Sequence, residues 1–235
     1  MLQPHTYPRL LGQALTLEPQ PFVEMVDDDN PWIEGLFFTF MLGLLVAAAR
    51  LIGGWLMAAS LPQSEAILET LVIALKQGWP ATTAQLAAVE ASLRQAWPFV
   101  ATFLNLGNSW LHLLVLIVTP LSLIGQWLAY ALISHAGARM LGGKGRIGQT
   151  LGAVALGLSP RILLVATVVP FVSVSGLLLH VWGILIAYRG LEVAHDLPPL
   201  RAAIAALLPL AVVGLLLLLA AVVALGASAL RGGGL

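Results

Sequence analysis

Long stretches without a charged side chain set the strongest limit on how this chain can fold. Residues 95–138 contain no Asp, Glu, Lys or Arg, and the same holds for residues 162–188 and 202–230. Each stretch exceeds the ~18 apolar residues that indicate a membrane-spanning helix. Charged residues make up only 9% of the chain, whereas roughly 25% is usual for soluble domains. The sequence therefore predicts a polytopic membrane protein.

Charge balance and cysteine content exclude several classes of partner and chemistry. Eleven basic side chains balance eleven acidic ones, so the formal net charge is zero. Nucleic acid is not expected as a partner, because binding it requires a basic surface. The chain contains no cysteine, which excludes disulfides, thiolate catalysis and metal sites with Cys ligands. The lipid bilayer and other integral membrane proteins are the expected partners.

The apolar runs predict an all-α integral membrane protein with five transmembrane helices. The predicted spans are residues 35–59, 110–135, 162–174, 177–194 and 202–229. Residues 148–158 are too short to cross a bilayer and end at Ser159-Pro160-Arg161, so a re-entrant or half-span helix is expected there. Amphipathic interfacial helices complete the predicted fold.

The segments outside the spans divide the chain into three predicted regions. Residues 1–34 form an amino-terminal interfacial segment, with helical spacing of leucines near residues 10–15. Residues 35–230 form the membrane domain, and its loop 60–108 carries two amphipathic helices, at 64–76 and after a capping box of Thr82 and Gln85. Residues 231–235 are predicted to be a disordered tail.

The distribution of basic residues predicts the orientation of the chain. With five spans the two termini lie on opposite sides of the membrane. The amino-terminal side receives seven basic residues and the other side three, with Arg50 left unassigned: Arg9, Arg139, Lys144, Arg146, Arg161, Arg189 and Arg201 against Lys76, Arg94 and Arg231. The positive-inside rule then places the amino terminus in the cytoplasm and the loop 60–108 outside.

A basic, glycine-rich turn lies between the second span and the half-span. The run Gly143 to Gly148 matches the letters of GxGxxG, but a membrane helix precedes it and no acid follows until Glu192. A dinucleotide fingerprint requires a strand before the motif and an acid about 20 residues after it. We therefore interpret this region as a membrane surface that binds anionic lipid, formed by Arg139, Lys144, Arg146 and Arg161.

Glycine and proline positions predict where helices pack closely or bend. Proline removes a backbone donor and commonly kinks a membrane helix, and glycines four residues apart allow helices to approach closely. The predicted packing and kink positions are Pro120, Gly148, Gly152, Pro160, Pro170 and Pro209.

Three polar residues are candidates for an intramembrane site. Arg50 falls inside the first predicted span, and His112 and His180 lie in or near spans. No two of the five histidines stand three or four residues apart, no nucleophile or metalloprotease motif occurs, and no acid is expected within a span. The sequence therefore predicts neither an enzyme nor a cofactor; His112 or His180 contacting a pigment or quinone is the one alternative.

Several segments together resemble the Yip family of Rab-GTPase-interacting proteins. They are Leu15 to Phe22 before the first span, Gly142 to Gly145 with Gln149-Thr150, Leu158-Ser159-Pro160, and Trp182 followed by Gly190-Leu191 and His195. The resemblance implies five spans and a cytoplasmic amino terminus, and eukaryotic members act in vesicle trafficking through Rab GTPases. This chain lacks their long soluble amino-terminal region and acidic Tyr-Gly-Pro type motif, which argues against GTPase binding. Its Leu-, Ala- and Gly-rich composition suggests the inner membrane of a prokaryote.

Three functions fit these observations. The first is a non-enzymatic scaffold or accessory subunit, suggested by the lack of a catalytic motif and by small-residue helix faces. The second is a lipid or small-solute transporter that uses the broken helix region 148–170, since interrupted helices form such sites. The third is a subunit of a pigment- or quinone-containing bioenergetic complex.

Overall fold

The computed structural model describes residues 4–80, 82–103 and 113–232, with side chains for residues 5–80, 82–101 and 113–224. These residues are almost entirely helical and contain no strand. The elements in chain order are a 3₁₀ turn Pro4–Thr6, α1 Tyr7–Leu15, α2 Gln20–Val26, α3 Pro31–Ser60, α4 Ser64–Gly78, α5 Thr83–Phe103, α6 Val115–Met140, α7 Ile147–Ala155, a 3₁₀ segment Leu156–Val168, α8 Gly176–His195 and α9 Pro199–Gly232.

Five helical segments are long and apolar enough to cross a bilayer, which confirms the predicted fold class. They are Pro31–Ser60, Val115–Met140, Ile147–Val168, Gly176–His195 and Pro199–Ala224. All of them except Ile147–Val168 begin and end within about five residues of a predicted span. α9 continues to Gly232, two residues into the predicted tail, and residues 233–235 lie outside the described part of the chain.

The third span corrects the sequence prediction. Residues 148–158 do not form a separate half-span, because α7 continues directly into the 3₁₀ segment through Pro160. At about 1.5 Å per residue in α7 and about 2.0 Å in the 3₁₀ segment, Ile147–Val168 extends roughly 40 Å. Pro170 lies beyond this span, in a turn where Phe171 has a φ of 65°. The helix therefore ends before Pro170, as is usual near a proline.

Unit 1, one of two compact units, consists of Met1–Leu42, Leu121–Arg161 and Ser175–Leu235. In it α2 packs on α7 and α8, and α8 packs on α9. Leu10, Phe22 and Met25 are fully buried, so α1 and α2 are held by the membrane helices. A Cβ on Gly152 would lie 2.7 Å from the carbonyl oxygen of Pro31. This contact fits the predicted packing role of Gly152 and requires a residue without a side chain.

Unit 2 consists of Gly43–Pro120 and Ile162–Val174. The amphipathic helices α4 and α5 pair, as their patterns suggest, and bury a small core of Leu68, Val72, Trp97 and Ala101. Thr82 and Gln85 form the predicted capping box: the Thr82 N–H donates to Gln85 Oε1 at 3.1 Å and the Gln85 N–H donates to Thr82 Oγ1 at 3.4 Å.

Close helix contacts in unit 2 also occur at glycines. A Cβ on Gly43 would lie 2.7 Å from the Cα of Pro120, and one on Gly53 would lie 1.9 Å from the carbonyl oxygen of Thr167. Both distances are below van der Waals contact and involve backbone atoms, so only glycine fits at either position. Pro120 is therefore both inside α6 and part of a close packing contact.

Candidate functional site

The basic loop 141–146 is hydrogen-bonded to the turn between α8 and α9. The Lys144 N–H donates to the carbonyl oxygen of His195 at 3.1 Å, and the Gly143 N–H donates to that of Ala138 at 2.8 Å. The Arg139 guanidinium donates to the carbonyl oxygen of Gly143 at 3.1 Å. Gly142 has a φ of 92°, which favours glycine. These hydrogen bonds hold the loop in a defined conformation.

Two glycines allow the loop to lie directly on this turn. A Cβ on Gly143 would lie 2.7 Å from His195 Nδ1, and a Cβ on Gly145 would lie 2.2 Å from the carbonyl oxygen of Ala194. A side chain at Gly145 would therefore push the loop away from α8. Across the turn, Lys144 Nζ lies 3.6 Å from Asp196 Oδ2, and both side chains are exposed.

A buried network of hydrogen-bonded side chains lies behind the loop. Thr150 Oγ1 is 2.8 Å from His135 Nδ1 and 2.8 Å from His195 Nε2, and it is 3.2 Å from the carbonyl oxygen of Arg146. Thr150 and His195 are buried, and the two imidazole centroids are 5.2 Å apart. Three helices, α6, α7 and α8, therefore meet at one hydroxyl group.

The numbers of donors and acceptors show which atom donates in each contact of this network. A hydroxyl has one proton and two lone pairs, and a carbonyl oxygen only accepts. All three contacts are satisfied when Thr150 donates to the Arg146 carbonyl and accepts from His135 Nδ1 and His195 Nε2. The other ring nitrogen of His195 is Nδ1. That atom is buried and has no hydrogen-bond partner in the described part of the chain.

A cavity of about 300 Å³ lies in unit 1 between α6, the third span, α8 and α9. Its lining is mostly aliphatic, and besides Trp127 and Tyr130 its polar residues are Gln126, Arg161 and His180. An Arg161 N–H donates to Gln126 Oε1 at 2.7 Å. The His180 Nδ1–H donates to the carbonyl oxygen of Gly176 at 2.6 Å, because a carbonyl can only accept.

Two aromatic side chains fix the wall of the cavity. Trp127, which is buried, donates its indole N–H to the carbonyl oxygen of Leu151 at 2.9 Å. Tyr130 donates its hydroxyl to the carbonyl oxygen of Ala206 at 2.7 Å. This bond lies near Pro209 of α9, which lacks the N–H that would donate to the carbonyl oxygen of Ala205. Both bonds tie α6 to a neighbouring span.

The three polar residues lie at similar depth, far from the basic loop. Gln126 lies roughly 21 Å along α6 from Met140, and His180 lies roughly 22 Å along α8 from His195. Arg161 lies roughly 24 Å along the third span from Ile147. Arg161 is therefore separated along the spans from Arg139, Lys144 and Arg146, with which the sequence analysis grouped it.

The other predicted site residues fall in separate places. Arg139, Lys144 and Arg146 are exposed at the loop, and the Arg146 N–H donates to Gln149 Oε1 at 2.9 Å at the start of α7. Arg50 is exposed on α3 in unit 2, and His180 lines the cavity of unit 1. His112 lies outside the described residues. A Cβ on Gly148 would meet only Trp32, at 3.9 Å, which is looser than the contact at Gly152.

One buried acid near the amino terminus, Glu34, was not among the site residues predicted from the sequence. α3 begins at Pro31, so Glu34 lies in its first turn, where it is 3% exposed. The Tyr7 hydroxyl donates to Glu34 Oε2 at 2.6 Å. Burial, followed by this hydrogen bond, raises the pKa of Tyr7, so the phenol stays protonated. Glu34 stands directly before a charge-free run, and this position could have indicated an acid in the first turn of a helix. An acid is stabilised there by the helix dipole.

The residues that carry the family resemblance are neighbours in unit 1. Phe22 packs at Gly190, since a Cβ there would lie 3.3 Å from the Phe22 ring. The Trp182 indole N–H donates to the carbonyl oxygen of Leu15 at 3.1 Å, and His195 lies under the loop at Gly143. Among the described residues no group of three His, Asp or Glu side chains could hold a metal ion.

The sequence model of the Yip1 domain matches residues 13–221. No curated protein and no solved structure matches the chain.

Proposed function

The chain belongs to the Yip1 domain family, and we propose that it is a non-enzymatic scaffold or accessory subunit that binds other integral membrane proteins. The second half of α9 is the proposed contact surface. Yip1 domain proteins are membrane proteins that are not known as enzymes, and the apolar spans place this one in a bilayer.

The exposure of α9 carries this proposal. Ala202, Ala205 and Ala206 in its first half are buried, whereas every residue from 214 to 224 is exposed. Three turns of helix therefore pack on nothing else in the described part of the chain. A membrane helix in this position is surrounded by lipid or by a helix of another protein.

Small residues favour a protein partner over lipid alone. Ala220 and Ala224 are exposed and stand four residues apart, so they lie on the same face as Leu216. Small residues at this spacing let two helices approach closely, which is how membrane helices associate through van der Waals packing. The face 216–220–224 is therefore the proposed partner contact.

Site-specific photocrosslinking in the membrane tests this proposal. We expect a crosslinking residue at Leu216 to form adducts with one or a few integral membrane proteins. The matched position Leu218, on another face of the same helix, should give lipid adducts. The double variant Ala220→Leu, Ala224→Leu should abolish the protein adducts at position 216. Equal adducts at both positions, adducts that persist in the double variant, or adducts only with a second copy of the chain would contradict the scaffold role.

We further propose that the amino terminus is cytoplasmic, in the inner membrane of a prokaryote. With Arg161 inside the third span, six basic residues remain on the amino-terminal side against three on the other: Arg9, Arg139, Lys144, Arg146, Arg189 and Arg201 against Lys76, Arg94 and Arg231. The exposed Arg139, Lys144 and Arg146 would then meet anionic headgroups of the cytoplasmic leaflet. Because the natural chain has no cysteine, Lys144→Cys should be labelled only from the cytoplasmic side by a membrane-impermeant maleimide.

GTPase binding and a bound cofactor are not part of the proposed function. α2 packs on α7 and α8, with Phe22 against Gly190, so this part of the amino-terminal segment is bound to the membrane helices. The pigment or quinone alternative would use His180, and a visible absorption band in the purified protein would support it. The transporter alternative is supported by the cavity beside the 3₁₀ segment, in the predicted region 148–170.

A further inference from the structure

We propose that the cavity of unit 1 binds an uncharged lipid alcohol, with a hydrocarbon chain in its apolar part and the hydroxyl group at the end lined by Gln126 and His180. The site is separate from the face 216–220–224 of α9, and the inference does not depend on the scaffold role. It rests on the depth of these two polar side chains, on the atoms that they leave without a hydrogen bond, and on the apolar lining beside them.

The polar end of the cavity lies inside the membrane spans. Gln126 stands near the middle of α6, roughly 16 Å from Val115 and 21 Å from Met140. His180 stands about one turn inside α8, which begins at Gly176. Both side chains are exposed. Water is not available within the hydrocarbon, so a polar group exposed there needs a hydrogen-bond partner from protein or lipid.

Each of the two side chains uses one of its polar atoms and leaves another open. Arg161 donates to Gln126 at 2.7 Å, and because a guanidinium only donates, the Gln126 oxygen accepts this bond and the NH₂ group does not take part in it. His180 donates from Nδ1 to the Gly176 carbonyl, so Nε2 is its other ring nitrogen. Within the described part of the chain, neither the Gln126 NH₂ group nor His180 Nε2 has a hydrogen bond.

A hydroxyl group matches these two open positions. It has one proton and two lone pairs, so it can accept from the Gln126 NH₂ group and either donate to His180 Nε2 or accept from it. It therefore fits both protonation states of the imidazole, whereas a carbonyl oxygen fits only when Nε2 carries a proton. The indole of Trp127 and the hydroxyl of Tyr130 already donate to backbone carbonyls.

The head group is uncharged in this proposal because the cavity offers an ion no partner. None of the lining residues is acidic, so a cationic head group would have no counter-charge. Arg161 is engaged within the protein, and no contact with the ligand is assigned to it. An ionised group without a partner is costly inside a membrane, whereas a hydroxyl can be buried once it is hydrogen-bonded.

The apolar part of the cavity extends from the polar end towards the basic loop. Ile133 follows Gln126 by two turns of α6, and Ala187 follows His180 by two turns of α8, so each helix contributes about 10 Å of wall. This lining is mostly aliphatic and runs along the spans, as lipid chains do, which favours a hydrocarbon chain. Val213 lines the cavity and is exposed, so the cavity opens to the bilayer and a second chain can remain there.

Diacylglycerols and long-chain alcohols both join an uncharged hydroxyl group to hydrocarbon, and the test distinguishes them. The full-length protein is placed in phosphatidylcholine nanodiscs with a trace of either lipid, which carries a diazirine in its chain. Parallel samples contain the deoxy analogue of each lipid, in which hydrogen replaces the hydroxyl group. After illumination, mass spectrometry of peptides locates the label.

We expect one or both alcohols to label residues of α6 and α8 that line the cavity, roughly tenfold more than the deoxy analogues, which is the effect of two net hydrogen bonds. His180→Phe keeps a ring but removes Nε2, so this preference should fall to roughly threefold while labelling by the deoxy analogues stays the same. Ala129→Trp places a large side chain in the lining and should reduce labelling by every probe several-fold. Its matched control is Leu132→Trp, at an exposed position of α6 outside the lining, which should leave the labelling unchanged.

Labelling by only one of the two alcohols supports the site and identifies the class of lipid. Four results would overturn the inference: equal labelling by alcohols and deoxy analogues, an unchanged preference in His180→Phe, an equal loss in both Trp variants, or no label at residues that line the cavity. His180 is exposed, so its variant keeps the test valid if Ala129→Trp fails to fold. The crosslinking at α9 is read from protein adducts, so either proposal can fail without the other.

Discussion

Units 1 and 2 differ in where their largest side-chain networks lie. Unit 1 contains a buried network, in which Thr150 joins His135 and His195 between three helices. The network of unit 2 is exposed: Arg94 bonds Glu69 at 2.8 Å and Glu90 at 3.0 Å on α4 and α5. Lys76 completes this network at 2.7 Å from Glu90.

This difference shows which unit has a fixed geometry. A buried hydrogen bond leaves an unsatisfied group when it is broken, so it specifies one arrangement. An exposed ion pair contributes little and is screened by salt. Unit 1, which contains the loop, the cavity and α9, is therefore held by directional contacts, whereas α4 and α5 are held mainly by a small apolar core. Substitutions in each unit can test this contrast, beginning with the largest expected effect.

Replacing Trp97 by Ala should release α4 and α5. Trp97 is 4% exposed and fills the core with Leu68 and Val72. Truncating a buried aromatic side chain usually costs about 3–5 kcal/mol, and this core offers few other contacts. We expect amide protection from hydrogen exchange to fall over residues 64–103 and to stay unchanged over residues 131–155. The control Trp79→Ala removes an exposed ring and should change neither. Loss of protection in both regions would show that the units unfold together.

Replacing Gly145 by Ala should destabilise unit 1 by about 3 kcal/mol, at the upper end of the usual range for overpacking. The new Cβ would meet the backbone oxygen of Ala194 at 2.2 Å, and a backbone atom cannot rotate away. A lower midpoint of thermal unfolding, with faster exchange at residues 141–146, is the expected result. Gly214→Ala is the matched control, because nothing lies within 4 Å of its Cβ position, and its midpoint should stay the same or rise. Equal midpoints for the two variants would contradict the close packing of the loop.

The sequence was sufficient for four of the five spans, because bilayer thickness sets the length of an apolar run that can cross it. Apolar runs located these four, and local patterns located α4, α5 and the capping box at Thr82. The third span was misjudged at Pro160, where local rules predict an end to the helix. The structure continues there as a 3₁₀ segment in which Ser159 and Pro160 are buried, and this burial depends on contacts that local sequence does not contain.

The site was harder to predict because its partners are distant in sequence. His195 was recognised as part of a motif, but its partner Thr150 lies 45 residues earlier. Arg161 was assigned to the membrane surface, while its partner Gln126 lies 35 residues earlier. A single sequence shows that a polar residue falls within a span, but not which other span supplies its hydrogen bond.

Replacing Thr150 by Val should cost about 1–3 kcal/mol, which is the usual cost of leaving buried polar groups without a partner. Valine keeps the shape of the side chain but removes the hydroxyl that the two imidazoles share. Thr150→Ser keeps the hydroxyl and is the control. We expect the midpoint of thermal unfolding to fall in the order Thr, Ser, Val. Equal midpoints for Ser and Val would mean that the buried network adds no stability to unit 1, and the contrast between the units would fail.

The smallest effect is expected from the exposed ion pairs of unit 2. Their titration should change the amide protection of α4 and α5 only in acid. Hydrogen bonding to Arg94 lowers the pKa of Glu69, and bonding to Lys76 and then Arg94 lowers that of Glu90. A carboxylate with a lowered pKa in the folded state stabilises the fold fully above its ordinary pKa of about 4.3. That stabilisation is lost as the pH falls through the lower folded-state value. Protection of residues 64–103, corrected for intrinsic exchange rates, should therefore be constant near neutral pH and decline below about pH 4.3.

The variant Arg94→Gln separates this network from the apolar core of the hairpin. It removes the partner of Glu69 and one of the two partners of Glu90, so the decline in acid should become shallower while protection at neutral pH changes little. Glu65→Gln, on α4 but outside the network, should keep the full decline. If Arg94→Gln instead removes protection at neutral pH as strongly as Trp97→Ala does, the ion pairs hold α4 and α5 together. The two units would then differ in where their polar groups lie, but not in how much their folds depend on them.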